Sequence, residues 1–130
     1  MCIRDRLLAL PFLLDTFGNL FGLYNDYEQT DDVLHLINWV FLVMAYHAFR
    51  FRNVHTNRDA VLLGYGFGSI AIIWWEAMEW AVSVDGWGGA GALQLTYGDT
   101  VFDLVVSSTG GLIGAVLSVW WFGARKQTAA

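Results

Sequence analysis

The sequence predicts an all-α polytopic membrane protein, a four-helix bundle of transmembrane helices with both termini on the cytoplasmic side. Three observations lead to this prediction. Of the 130 residues, 56% are hydrophobic and only 15% are charged, and the mean hydropathy is +0.46. The charges are segregated, so that long stretches are almost free of Lys and Arg. No stretch shows the alternation of polar and apolar residues that marks a half-buried strand.

We expect a single transmembrane domain over residues 1–130, because four apolar stretches have about the 20 residues that cross a bilayer. These predicted spans lie at about 7–23, 33–49, 60–84 and 99–122. The first is the shortest and contains Pro11 near its start, where proline is best tolerated. Residues 1–6 (MCIRDR) are unusual for a natural start and are left out of the fold prediction.

The connectors between the spans predict their orientation. Residues 25–32 carry four acids and no basic residue, and residues 83–98 have no basic residue either. In contrast, residues 50–59 carry three arginines, and the C-terminal tail carries Arg125 and Lys126. Because basic residues collect on the cytoplasmic side, the arginine connector and both termini are predicted inside, and the acidic connector outside.

Polar and ionisable side chains lie in or beside every span, near its predicted outer end. They form four pairs, namely Asp15 with Asn19, Asp32 with His35, Glu76 with Glu79, and Asp99 with Asp103. The members of each pair are three or four residues apart and therefore share a helix face. A bilayer interior penalises ionisable groups, and those that occur there usually face one another inside a bundle. The pairs thus predict one outward-facing pocket, with Asp15 and Glu76 deepest and Asp99 at its rim.

The residue types in this pocket point to a divalent metal ion. Packed carboxylates repel one another unless they share protons or a cation neutralises them. Oxygen ligands with one imidazole suit Zn, Mn, Fe, Mg or Ca. The predicted metal ligands are His35, Glu76, Glu79, Asp99 and Asp103, and Glu76 and Glu79 are also the predicted catalytic residues. A protonated carboxylate network that relays protons is an equal alternative.

Some of these polar residues also have a purely structural explanation. We assign Asp31 to the N-terminal cap of the second helix, and Asp99 fits a cap of the fourth helix as well as it fits a ligand. His47 and His55 are expected at the membrane interface or in solvent. Close helix approach is predicted by three Gly-x-x-x-Gly patterns, at Gly18 and Gly22, Gly64 and Gly68, and Gly110 and Gly114.

One stretch of the chain resembles a known family. The pattern Trp75-Glu76-x-x-Glu79-Trp80, followed by Gly98-Asp99-Thr100-x-x-Asp103, resembles the YjdF-like inner-membrane proteins, a domain of unknown function. Asp32-x-x-His35 is similar to that family's Asp-Lys-x-x-His stretch, which distantly VanZ-like membrane proteins share. The resemblance covers about residues 31–114, with Val33 where the family has lysine. It implies a polytopic bacterial inner-membrane protein with N-terminal helices missing, and it implies no activity.

Three functions fit these features. The leading one is an inner-membrane protein whose pocket binds a divalent cation, extended to metal-dependent hydrolysis or transfer on a lipid or envelope substrate. The second is a small proton- or cation-coupled transporter or channel subunit, with Asp15 and Glu76 carrying the proton. The third is a structural assembly protein with a buried polar network. The expected partners are the lipid bilayer and a second copy or missing helices.

The composition and the motifs also argue against several functions and partners. The net charge of −5 and the absence of a basic patch argue against nucleic acid as a partner. No phosphate-binding loop and no Ser or Cys nucleophile motif is present, which argues against nucleotide use and covalent catalysis. The single cysteine, Cys2, cannot form an internal disulfide.

Overall fold

The protein is all-helical in its computed structural model, which describes residues 3–27, 29–50, 56–85 and 96–127. The helices are α1 (Ile3–Leu20), α2 (Leu23–Asp26), α3 (Thr30–Arg50), α4 (Asn57–Asp85) and α5 (Tyr97–Gln127). None of the described residues lies in a strand, so the all-α prediction is confirmed. Three helices are long and apolar enough to cross a membrane, over Thr30–Arg50, Asn57–Ser83 and Tyr97–Phe122.

These three helices contain the second, third and fourth predicted spans, each extended by a few residues at its ends. The first span differs. α1 ends at Leu20, before the predicted end at residue 23, and Gly22 follows in the left-handed conformation at φ 69°. This conformation is readily adopted by glycine and turns the chain into the short α2. α1 also carries four charged side chains, and a fourth membrane span therefore stays a prediction.

Threonine side chains cap the N-termini of the two longest helices, α4 and α5. The Asp59 amide donates to Thr56 Oγ1 at 3.1 Å, and the Asp99 amide donates to Thr96 Oγ1 at 3.2 Å. Each Thr-x-x-Asp sequence thus places a hydroxyl on one of the amides that a helix N-terminus leaves unpaired. The cap of α5 is therefore Thr96, and the cap assignment considered for Asp99 is wrong.

α3 lies at the centre of the bundle, packed against α1, α4 and α5, while α4 also packs on α5. Small residues allow the closest of these approaches. A methyl group on Gly110 would meet the Leu36 carbonyl oxygen, and one on Gly114 would lie 2.6 Å from the Val40 carbonyl oxygen. The backbones of α3 and α5 are therefore in contact, as the Gly110 pattern predicts.

The other two glycine patterns differ in what their glycines contact. Gly64 lies against the His47 ring and Gly68 against the Val43 side chain, so this pair also packs α4 against α3. Gly18 lies against the Tyr24 ring, whereas Gly22 has no side-chain neighbour within 4 Å and serves the turn between α1 and α2. The first pattern therefore does not mark a helix-packing face over its whole length.

The middle of the bundle is apolar, and it separates two buried histidines. Val43, Ile72 and Ala115 are almost completely buried there. Toward the C-terminal end of α3, His47 is only 2% exposed and packs on α4. The alternative that His47 is solvated is therefore wrong, because Gly64 leaves room for the imidazole inside the bundle. His55 lies outside the described residues.

Candidate metal centre

His35, near the start of α3, is the hub of a polar cluster. Its side chain is 9% exposed, and its Nδ1 lies 2.9 Å from Ser107 Oγ of α5. The same nitrogen lies 3.9 Å from Glu76 Oε1 of α4, and Nε2 lies 3.8 Å from Asp31 Oδ1 one turn earlier on α3. One imidazole therefore contacts polar groups from all three membrane-length helices. The cluster forms because α4 ends where α3 and α5 begin.

Two carboxylates of the cluster are buried without sufficient hydrogen bonds. Glu76 is 5% exposed and Asp103 is 2% exposed. Both Glu76 oxygens and Asp103 Oδ1 lack a hydrogen-bond partner. Among the described residues, the ion pairs of this cluster involve no lysine or arginine, and His35 is the basic group. Because a buried carboxylate without a partner is costly, these oxygens require a proton or a cation.

The geometry supplies two sets of potential metal ligands that share the imidazole. Asp31, His35 and Asp103 form one set, and His35, Glu76 and Glu79 form the other. In each set the ligand atoms lie within 4.8 Å of one another. A neutral imidazole has one lone pair to give, so we expect a single ion, which His35 binds together with carboxylates from both sets.

Four of the five predicted ligands meet in this cluster. They are His35, Glu76, Glu79 and Asp103. The fifth, Asp99, is exposed in the first turn of α5 and belongs to neither set found among the described residues. Asp32, half-buried on α3, is also outside both sets.

Asp15 and Asn19 lie on α1, beside the cluster rather than within it. Asp15 Oδ1 accepts a hydrogen bond of 2.5 Å from the Tyr24 hydroxyl of α2. The Asn19 amide donates to the Asp15 carbonyl at 3.1 Å. Burial raises the pKa of Tyr24, and its hydrogen bond to the Asp15 carboxylate raises the pKa further. Both Asp15 and Tyr24 line a cavity that reaches His35 and Glu79.

Sequence reasoning missed three polar residues of this region. Asp31 was assigned to a helix cap, but it lies inside the first turn of α3 with its carboxylate facing His35. The signal was present, because residues four apart share a helix face. Tyr24 and Asn38 also line the cavity. Asn38 lies three residues after His35 and therefore shares a face of α3 with that predicted ligand, a signal that the sequence contains. Tyr24 lies at no such spacing from a predicted ligand, and no pattern in the sequence singles it out.

Fold and site together define a class of protein. It is all-helical, it has three helices long and apolar enough to cross a membrane, and its buried carboxylates and histidine are grouped so that they could hold a metal ion. Comparison of the chain with models of protein families, with curated proteins and with solved structures found no match.

Proposed function

We propose that this protein is a multi-pass protein of the bacterial inner membrane that binds one divalent cation in the cluster around His35. The observation that carries the proposal is the convergence of Glu76 and Asp103 on one imidazole. Both carboxylates are buried, and three of their oxygens have no hydrogen-bond donor. A cation at this position would neutralise the carboxylates and fill their empty coordination sites at once.

The ligand types narrow the choice of ion. Imidazole suits Zn, Fe and other transition metals, whereas carboxylates suit Mg, Ca and Mn. A set with one imidazole nitrogen and two carboxylates therefore fits Mn²⁺, Fe²⁺ or Zn²⁺ best. Ser107 does not distinguish these ions, but its hydroxyl lies 2.9 Å from His35 Nδ1, where it would orient the ring. A hydrogen bond from one ring nitrogen orients a histidine whose other nitrogen binds a metal.

A proton-conducting function is less well supported than a metal site. Conduction needs polar groups that continue from the cluster toward the other end of the bundle. In the described part of the chain, the buried side chains next along the core are Val43, Ile72 and Ala115. Ser118, farther along α5, donates its hydroxyl to the Gly114 carbonyl at 2.7 Å. The cluster therefore ends in an apolar wall, which favours a blind pocket.

The membrane setting rests on apolarity and charge distribution. Large apolar side chains are exposed along the helices, among them Ile70, Trp74 and Trp120, each at least 60% exposed. Arg50 ends α3 and Arg58 lies in the first turn of α4, at the end opposite His35. The positive-inside rule places that end in the cytoplasm and the cluster toward the outside. Membership in the YjdF-like family is part of this proposal and rests on the residue patterns given above.

Catalysis is an extension of the proposal. A metal bound beside His35 would activate a water molecule, and Glu76 or Glu79 would accept its proton. The adjoining cavity, which His35, Asp31 and Glu79 help to line, would admit the reacting part of a lipid or envelope substrate.

Elemental analysis of detergent-purified protein tests the proposal. After loading with Mn²⁺ or Zn²⁺ and removal of free metal, we expect about one ion per chain in the wild type. Glu76→Ala and Asp103→Ala should each lower this occupancy. Asp99→Ala is the matched control, because Asp99 lies one turn from Asp103 on α5 but outside both ligand sets. Wild-type protein that retains no metal would exclude the proposed function.

A further inference from the structure

A cavity of about 260 Å³ lies beside the cluster, bounded by α1, α2, α3 and α4. Glu76 and Asp103 are not part of its lining, whereas Asp31, His35 and Glu79 of the two ligand sets are. Its volume is below the roughly 300–1,000 Å³ of drug-sized ligand pockets. The cavity therefore suits a small ligand or the head of a larger one.

The polar groups of the cavity are mostly hydrogen-bond acceptors. Three carboxylates line it, those of Asp15, Asp31 and Glu79. Asn38 Oδ1 is buried and has no hydrogen-bond partner. The lining also carries donors: the Tyr24 hydroxyl, which already donates to Asp15, the Asn38 amide nitrogen, the His35 ring and two indole nitrogens. The lining has three carboxylates and one imidazole but no lysine or arginine, so an ammonium group there would meet more acceptor oxygens than donors.

Aromatic side chains form much of the remaining lining, together with Pro11, Leu34 and Leu42. Phe12 and Tyr24 contribute from α1 and α2, and Trp39 and Trp75 contribute from α3 and α4. Aromatic faces attract a cation through the ring quadrupole, and Trp does so most strongly. A metal ion is bound by carboxylates and water and gains little from indole rings. An organic cation can interact with the carboxylates and with the aromatic rings.

We infer that this cavity binds a compact primary ammonium group, carried by a free amine or by the amino head group of a lipid. A primary ammonium has N–H donors, and these match the Asp15 carboxylate and the unpartnered Asn38 Oδ1. A quaternary ammonium would fit the aromatic walls but would leave Asn38 without a donor. The inference goes beyond the proposed function, because it requires no ion at His35.

Ligand-observed NMR titration of purified protein with ethanolamine tests this inference. The protein is first treated with chelator, so that the result does not depend on the metal. We expect saturable binding of ethanolamine. Choline has no N–H group, and the loss of one hydrogen bond to a charged group should weaken its binding about tenfold or more. Choline that binds as tightly as ethanolamine, or wild-type protein that binds no ethanolamine, would overturn the assignment.

Variants locate the binding. Asp15→Asn and Asn38→Leu should each weaken ethanolamine binding about tenfold or more. The matched controls are Asp99→Asn and Asn25→Leu, which change exposed residues outside the cavity and should bind as the wild type does. Equal affinity in the wild type, Asp15→Asn and Asn38→Leu would refute the inference.

Two further variants keep the test decisive. If circular dichroism shows that Asp15→Asn or Asn38→Leu does not fold, Trp75→Leu replaces it, because Trp75 is 41% exposed and lines the cavity. Its ethanolamine affinity should fall several-fold, and an unchanged affinity would count against the inference. Asp103→Asn should lose metal and keep ethanolamine binding, so the failure of one proposal is distinguishable from the failure of the other.

The source of the ammonium is tested in lipid nanodiscs. In discs of phosphatidylcholine and phosphatidylethanolamine, a lipid head group in the cavity would compete with ethanolamine and lower its apparent affinity. In discs of phosphatidylcholine alone, the affinity should equal that in detergent. Equal ethanolamine affinity in both discs would assign the site to a free amine, and absence of binding in both would refute the inference.

Discussion

Replacing Gly110 with alanine would place a methyl group against the backbone of α3. An ideal Cβ there lies 3.1 Å from the Leu36 carbonyl carbon and 3.3 Å from Leu36 Cα, and closer still to the carbonyl oxygen. These atoms belong to the backbone of a helix, so they cannot rotate away as a flexible side chain would. We therefore expect α3 and α5 to move apart, which should destabilise the protein.

The magnitude follows from two opposing effects. Overpacking of a tight interface costs about 1–3 kcal/mol. Alanine in place of a helical glycine returns about 1 kcal/mol through helix propensity. Gly66→Ala is the matched control, since a Cβ on this α4 residue meets nothing within 4 Å. The propensity gain cancels in the comparison, and Gly110→Ala should be the less stable by about 1–3 kcal/mol.

The assay is unfolding of both variants by SDS in mixed detergent micelles, followed by circular dichroism. The two unfolding free energies are compared directly. Metal binding is a second readout, because His35 and Ser107 join the same two helices about one turn away. Gly110→Ala should weaken it and Gly66→Ala should not. Equal stability of the two variants would refute the close packing of α3 and α5.

Three further predictions concern single hydrogen bonds. Ser107→Ala should lower metal affinity about 10–100-fold by removing the partner of the histidine ring, while Ser118→Ala, equally buried but bonded within its own helix, should not change it in the same loading assay. Thr96→Ala should cost about 1 kcal/mol of unfolding free energy, because it removes the α5 cap. The raised pKa of Tyr24 means that the folded chain keeps a proton that the unfolded chain loses at about pH 10, so stability should fall as pH rises above 10. Asp15→Asn should lower that pKa toward its usual range, as measured by phenolate absorbance.

The meeting of His35, Glu76 and Asp103 could be anticipated from the sequence for a physical reason. An ionisable group in an apolar helix has few tolerable positions, and most of them face the inside of a bundle. The alternating connectors then place the three groups near the same end of adjacent helices. Helical length and apolarity were also predictable, since the three longest helices contain three of the four predicted spans.

Other features depend on helix rotation and helix ends, which periodicity does not determine. Asp99 and Asp103 share a face of α5, yet Asp99 lies a turn closer to the helix start and is exposed. Asp31 resembles a cap in sequence, but the chain begins α3 one residue earlier and leaves its carboxylate beside His35. The burial of His47 depends on one glycine of the neighbouring helix, Gly64. Such contacts are set by which residues face each other across helices.

The two threonine caps could have been predicted from the sequence. Thr56 and Thr96 each precede an aspartate by three residues at the start of an apolar stretch, which is the pattern of a capping box. Recognising Thr96 as the cap would have moved Asp99 from the cap to the third position of α5, where the acid of a capping box lies. The exposure of Asp99 could still not have been predicted, because this exposure depends on how far α5 extends beyond α3 and α4.

Pulsed electron paramagnetic resonance of protein loaded with Mn²⁺ tests the central claim most directly. If the ion binds beside His35, the spectrum should show coupling to one imidazole nitrogen, which disappears in His35→Ala and persists in His55→Ala. Bound Mn²⁺ without nitrogen coupling, or coupling that survives in His35→Ala, would contradict a metal centre built on this histidine.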